Sequence, residues 1–210
     1  MDHFAAIATQ RRALADFFED LTDEQLQKRS LCSAWSVRDI LAHLVMPLTT
    51  SIPTVVLEMV KAKGKFDRAS VAMTARKASL STAALIELLR ANAESHFTPP
   101  GHDSLAPLTD TYAHGQDAAR PLGLVGLGTT ENWEYVLRFL ASDKGLKGFV
   151  TRPLPNVKMV ATDMDFTAGR GTELSGPGIA LAMTMLGRTA YLKDLSGPGQ
   201  PIMERWVDLG

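Results

Sequence analysis

Within TDTYAHGQD, residues 109–117, Asp110 and His114 stand four positions apart and Asp117 follows three positions later. On an α-helix these spacings place side chains one turn apart on nearly the same face. A carboxylate and an imidazole so arranged can grip one divalent ion at about 2.0–2.2 Å, and an imidazole from a neighbouring helix would complete a three-ligand facial set with open positions. His43, inside the apolar run SVRDILAHLVMP, is the candidate for that second imidazole. Open positions on an ion suit catalysis better than scaffolding. Spacing alone leaves a plainer reading open: a histidine on an apolar helix face is commonly a core residue satisfied by a carbonyl, and Asp-x-x-x-His arises often by chance.

The remaining reactive side chains offer less. His3 is near the terminus, His96 and His102 flank a Pro-Pro-Gly loop, and all three are expected to be solvated. Cys32 is the only cysteine, which excludes an internal disulfide and any cysteine-based metal cluster; its expected role is that of a small buried hydrophobe. A metal site here is therefore built from nitrogen and oxygen. With 22 Lys+Arg against 23 Asp+Glu and no basic run, a nucleic-acid partner is not expected. The N-terminal stretch is charged at helical spacing and no window of eighteen apolar residues occurs, so neither a signal peptide nor a membrane span is expected and the location predicted is cytoplasmic.

Helices must position these groups. Phe4, Ile7, Leu14, Phe17 and Phe18 form one stripe of a first helix over residues 2–20. Thr22 opens a capping pattern with Gln25, and Ser36, with Asp39 in the first turn, begins the helix that carries His43. Pro47 and Pro53 predict a kink or break in its continuation. A third helical region follows over 67–97, interrupted near residues 79–81; two more lie at 107–123, closed by Gly123, and at 129–142. The pattern up to residue 145 is a mainly α, four-helix bundle with one additional helix. Beyond it the composition shifts: residues 157–169 suggest one or two strands, 176–188 a short apolar helix begun by Pro177 and stopped at Gly187, and the two copies of LSGPG, at 174–178 and 195–199, are read as turns. The expected organisation is a bundle over 1–145 with the metal site and a small α+β C-terminal extension over 146–210.

CSAWSVRDILAHL resembles the signature of the mycothiol-dependent maleylpyruvate isomerase N-terminal domain family, within the DinB-like metal-binding superfamily: Cys/Gly-x-x-Trp-[Ser/Thr]-x-x-Asp-x-x-x-His-[Leu/Val]. PPGHDSLAPLTDTYAHGQDAARPLG resembles the family's later block, in which an acidic residue stands four before a His and an Asp follows. The segments VATDMDFTAG, IALAMTMLGR and both LSGPG copies are similar to the C-terminal extension of such proteins. The resemblance implies a DinB-like four-helix bundle whose metal ligands fall on His43, Asp110 and His114. It also implies a divalent cofactor, zinc first with nickel or iron as alternatives. The better-known isomerase has Glu where this chain has Asp110, a side chain shorter by one methylene.

The resemblance further implies mycothiol, a small cytoplasmic thiol, as co-substrate, together with a small-molecule electrophile; a homodimer is admitted as the assembly. An ion with open positions deprotonates a bound thiol at neutral pH. The thiolate then serves isomerisation, by addition and expulsion, or S-transfer. Asp117 is expected to act as a base or to orient His114. His114 itself is expected to line a cavity, so that its removal costs metal and not the fold. Two competitors stay open: a non-enzymatic metal-binding or stress-related bundle, and a metal-dependent hydrolase.

Overall fold

The computed structural model describes residues 2–124, 127–150 and 152–208. The chain divides into two compact units at Leu127–Gly128. Sequence reading places that boundary near residue 145, where the composition changes. The difference is chiefly α8 (Thr130–Leu140), which packs in the second unit against α10 (Gly178–Met185).

In the first unit, α1 (Phe4–Glu19) and α3 (Val37–Thr49) each pack against both α6 (Thr82–Ala91) and α7 (Leu105–Ala119), which closes a four-helix bundle. Its core holds Leu14 and Phe18 of α1, Ile40, Leu41 and Leu44 of α3 and Leu89 of α6, all buried. The sidechains of α7 are buried nearly all round, as expected of a helix surrounded by its neighbours. Gly115 permits this: a Cβ there would stand 3.2 Å from Leu14 Cδ2, so α1 approaches closely beside His114.

The short elements follow the sequence cues. Thr22 and Gln25 form a capping box on α2 (Asp23–Gln27), and Ser36 and Asp39 form another on α3. There the Ser36 side chain accepts from Asp39 N at 3.2 Å, while Ser36 N donates to Asp39 Oδ2 at 2.9 Å. Pro47 lies within α3, which ends at Thr49, and Pro53 sits in the first turn of α4 (Ile52–Lys61), where its missing N–H costs nothing. The third helical region is divided as expected, α5 (Phe66–Lys77) ending before Ser81 caps α6. Glu58 on α4 is buried and paired at 2.9 Å with both Lys61 and Arg76, which ties α4 to α5, and α5 packs on α3.

In the second unit, β1 (Val157–Ala161) pairs antiparallel with β2 (Thr167–Gly169) and parallel with β3 (Thr172–Gly176), in the order β2-β1-β3. Moving from one edge to the other within two residues requires the chain to pass tightly around the start of β1. Gly171, at φ 103°, makes that passage beside Asn156, whose backbone oxygen a Cβ would meet at 2.4 Å. The first LSGPG is not a turn, since its Leu174, Ser175 and Gly176 end β3 before Pro177 caps α10. The second copy lies against it: Ser175 and Ser196 exchange two backbone hydrogen bonds of 2.8 Å. The sequence carries both copies but not their pairing. A short α9 (Asp143–Gly145) runs into a π turn, and α11 (Gln200–Asp208) follows the second copy. Among the described residues no helix is long and apolar enough to cross a membrane.

Candidate metal centre

His43 on α3, and Asp110 and His114 on α7, converge: one ligand atom of each lies within 4.8 Å of the others. Asp110 Oδ1 is 3.5 Å from His43 Nε2 and 3.5 Å from His114 Nε2. The two imidazoles meet edge to face, with centroids 4.5 Å apart. The i, i+4 spacing places Asp110 and His114 on one face of α7, and the packing of α3 against α7 brings His43 to that face.

Each imidazole is held from behind. His43 Nδ1 is 3.3 Å from the hydroxyl of Thr74, a buried residue of α5, and the Trp35 indole stacks on the His43 ring at 4.5 Å. His114 Nδ1 is 2.9 Å from Asp117 Oδ2, and the Asp117 side chain is fully buried. Asp117 thus meets His114 on the ring edge bearing Nδ1, while His114 Nε2 faces Asp110.

The charges follow from these contacts. Burial raises the Asp110 pKa, but the His114 charge, the His43 bond and charge, and the buried Arg11 guanidinium outweigh it and bring the carboxyl to about 2. Burial likewise lowers His114, and the Asp110 charge with bonds to Asp117 and Cys32 overcomes it, holding the imidazolium up to about 10. Burial, and next the His114 charge, push His43 below its ordinary value. The cluster therefore keeps one imidazole protonated and one neutral beside an ionised carboxylate.

The residues fit a divalent ion. Ligand atoms around one tetrahedral ion with bonds near 2.1 Å stand about 3.4 Å apart, which is close to the separation of Asp110 Oδ1 from each Nε2. The buried His43 Nε2 makes no hydrogen bond of full strength: Asp110 Oδ1 stands 3.5 Å away, at the outer limit of such a contact, a costly state for a polar atom unless something else engages it. Asp110 needs no extra methylene to reach this spacing.

Other expectations change. His3 is buried, not solvated, its backbone N–H 3.4 Å from the Ser104 hydroxyl; His96 is exposed and stacks on Phe4 at 4.1 Å. Cys32 is half-buried and not mere filler: its Sγ lies 3.0 Å from Asp117 Oδ2 and 3.8 Å from His114 Nδ1. Thr74 carries no signal in the sequence that points to the site. Cys32 opens the same signature that carries Trp35 and His43, but its contact with Asp117, like that of Thr74 with His43, joins separate elements with no shared period and is read only from the tertiary fold.

The family model for the mycothiol maleylpyruvate isomerase N-terminal domain matches residues 7–119, which include all three converging side chains. The whole fold is similar to a crystal structure of the mycothiol-dependent maleylpyruvate isomerase, with 16% identity and a TM-score of 0.53 over 95% of this chain and 97% of that one. A histidine-to-alanine mutant of that enzyme gives the same TM-score and coverage at 15% identity. At such identity the likeness is one of fold. No curated protein matches the chain. The family model spans more than half of the sequence, and the chain belongs to the mycothiol maleylpyruvate isomerase N-terminal domain family.

Proposed function

We propose that this protein is a metal-dependent enzyme that uses a low-molecular-weight thiol, mycothiol, against a small electrophile, by isomerisation or S-transfer. The observation that carries the reading is the orphaned Nε2 of buried His43, facing the same carboxylate oxygen that His114 faces. When bound, a divalent ion, zinc first among the candidates, supplies a Lewis-acid position that lowers the pKa of a thiol into the neutral range.

The protein residues do the holding. His43, Asp110 and His114 provide two neutral donors and one charge, once His114 gives up its proton. Thr74 Oγ1, 3.3 Å from His43 Nδ1, is placed to accept from the tautomer that leaves the Nε2 lone pair for an ion, and Trp35 limits rotation of the ring. Asp117 does the same for His114. Asp110 keeps 32% of its side chain exposed, so the set is reachable from solvent, as an exchangeable thiol requires and a closed structural site does not. The thiol sulfur adds to an activated alkene and leaves after bond rotation, or stays attached as the transferred group.

Metal analysis of the purified protein, followed by turnover of electrophiles with and without mycothiol, tests the reading. Activity is expected only with both ion and thiol, lost with a chelator and restored by a divalent ion. Turnover without any thiol would point to hydrolysis, and a filled site with no turnover to a binding module.

A further inference from the structure

Resting on the metal reading above, we propose that Cys32 is a positioning residue: its thiol donates to Asp117 Oδ2 and thereby fixes the carboxylate that holds His114 with Nε2 toward His43 and Asp110. Asp117 Oδ2 is shared, 3.0 Å from Cys32 Sγ and 2.9 Å from His114 Nδ1. A carboxylate oxygen held by two donors resists rotation of its own side chain, and the imidazole it orients inherits that fixity.

The thiol is not a loose arm. It belongs to the turn between α2 and α3, where Ser30 Oγ donates toward the backbone oxygens of Cys32 at 3.1 Å and Trp35 at 2.9 Å, and accepts from Cys32 N at 3.1 Å. Leu31 N donates to the backbone oxygen of Asp117 at 3.0 Å, so the turn is fastened to α7 at the residue whose side chain Cys32 meets. One short loop thus carries Trp35 onto the face of the His43 ring and Cys32 to Asp117 behind His114, bracing both imidazoles.

The orphaned Nε2 of His43 marks where a ligand is needed, and it lies on the Nε2 side of His114. Cys32, His114 and Asp117 also stand close enough to grip an ion themselves. Two observations argue for hydrogen bonding there instead: separations of 2.9 and 3.0 Å are those of donor and acceptor, and the Asp117 side chain has no exposed surface from which an ion could exchange.

The test compares Cys32→Ser, which keeps a donor, with Cys32→Val and Cys32→Ala, which do not. Zinc affinity is measured by competition with a chromophoric chelator, alongside the near-ultraviolet spectrum of the cobalt-loaded full chain. The expected result is affinity within about threefold of the parent for Ser and about tenfold weaker for Val and Ala, with no thiolate-to-cobalt charge-transfer band in the parent. Parent-like affinity in both apolar variants overturns the proposal, as does equal weakening in all three; a charge-transfer band would then make Cys32 a ligand. A parent chain that takes up no ion removes the metal reading itself, an outcome distinct from these.

Discussion

The rings of His43 and His114 stand edge to face, 4.5 Å between centroids and 71° between planes, with both Nε2 atoms turned to one oxygen of Asp110. Two imidazolium ions cannot share so small a space, and the protonation of the pair is asymmetric as a result. His114 takes the proton because Asp110 and Asp117 flank it, while burial and the His114 charge keep His43 neutral at pH 7.

An ion bound by this proposed set must therefore displace one proton, from His114. With Asp110 ionised from about pH 2 and His114 titrating at about 10, zinc affinity is expected to rise roughly tenfold per pH unit between pH 7 and 9. Calorimetry in buffers of different ionisation enthalpy should count about one proton released per ion. For the metal-free chain the sign is opposite. A folded pKa of about 10 against 6.5 unfolded gives stability that is full below 6.5 and lost as pH rises through 10. Urea midpoints that fall from pH 7 to 10 without zinc, and do not fall with it, would match; binding with no proton release would contradict the assignment.

His114→Ala is expected to cost both metal and stability. The sequence suggests a cavity-lining side chain whose loss spares the fold, but Asp117 is fully buried and leans on His114 Nδ1 at 2.9 Å. Removing the imidazole leaves a buried carboxylate short of its cation, a loss of about 3–5 kcal/mol by analogy with other broken buried pairs. The fold should be rescued in part by His114→Ala combined with Asp117→Ala, without return of the ion. Chemical denaturation of the single and double variants separates these outcomes; an unchanged midpoint for His114→Ala would show that Asp117 does not depend on it.

What the sequence makes legible is local. The Ser36–Asp39 capping box, the end of α3 after Pro47 and the common face of Asp110 and His114 depend on residues within about one or two helical turns, and all three appear in the structure. His43 was within reach because it falls at a defined place in the same family signature as Trp35. The contacts that fasten the site are of another kind: Cys32 to Asp117, Thr74 to His43 and Leu31 to the Asp117 backbone join residues from separate elements with no shared period. The burial of His3 and the pairing of the two LSGPG copies are hidden for the same reason. The unit boundary is displaced because α8 is amphipathic like a bundle helix, and amphipathicity states that a face is buried without naming the partner.

Gly176→Ala tests the pairing of the LSGPG copies. A Cβ there would lie 2.6 Å from Leu195 Cδ2 and 2.8 Å from the Asp194 backbone oxygen, and the latter cannot yield as a side-chain tip can. The second unit is expected to lose about 1–3 kcal/mol, as overpacked sites do, seen as earlier cleavage of residues 128–210 in limited proteolysis. Zinc affinity should stay at the parent value, because His43, Asp110 and His114 all belong to the first unit. Lost zinc binding in this variant would mean that the ligand set depends on the second unit.

Asp110 separates charge from reach. Its Oδ1 already stands 3.5 Å from both Nε2 atoms, near the spacing one tetrahedral ion would impose on its ligands, so the side chain is long enough for the proposed ligand set. Asp110→Asn preserves shape and removes the charge. Zinc affinity should fall at least ~10–100-fold, the loss known for residues that merely support ligands, and the His114 pKa should drop below 10 because its main electrostatic support is gone. Fewer protons would then leave on binding at pH 7. Asp110→Glu keeps the charge on a longer arm at a partly exposed position, where the extra methylene can bend outward, and is expected to retain zinc within about tenfold of the parent. Competition titrations of the two variants decide the matter. Parent-like affinity in Asp110→Asn would remove the carboxylate from the ligand set and leave a pair of histidines, too few for the ion on which the thiol chemistry depends.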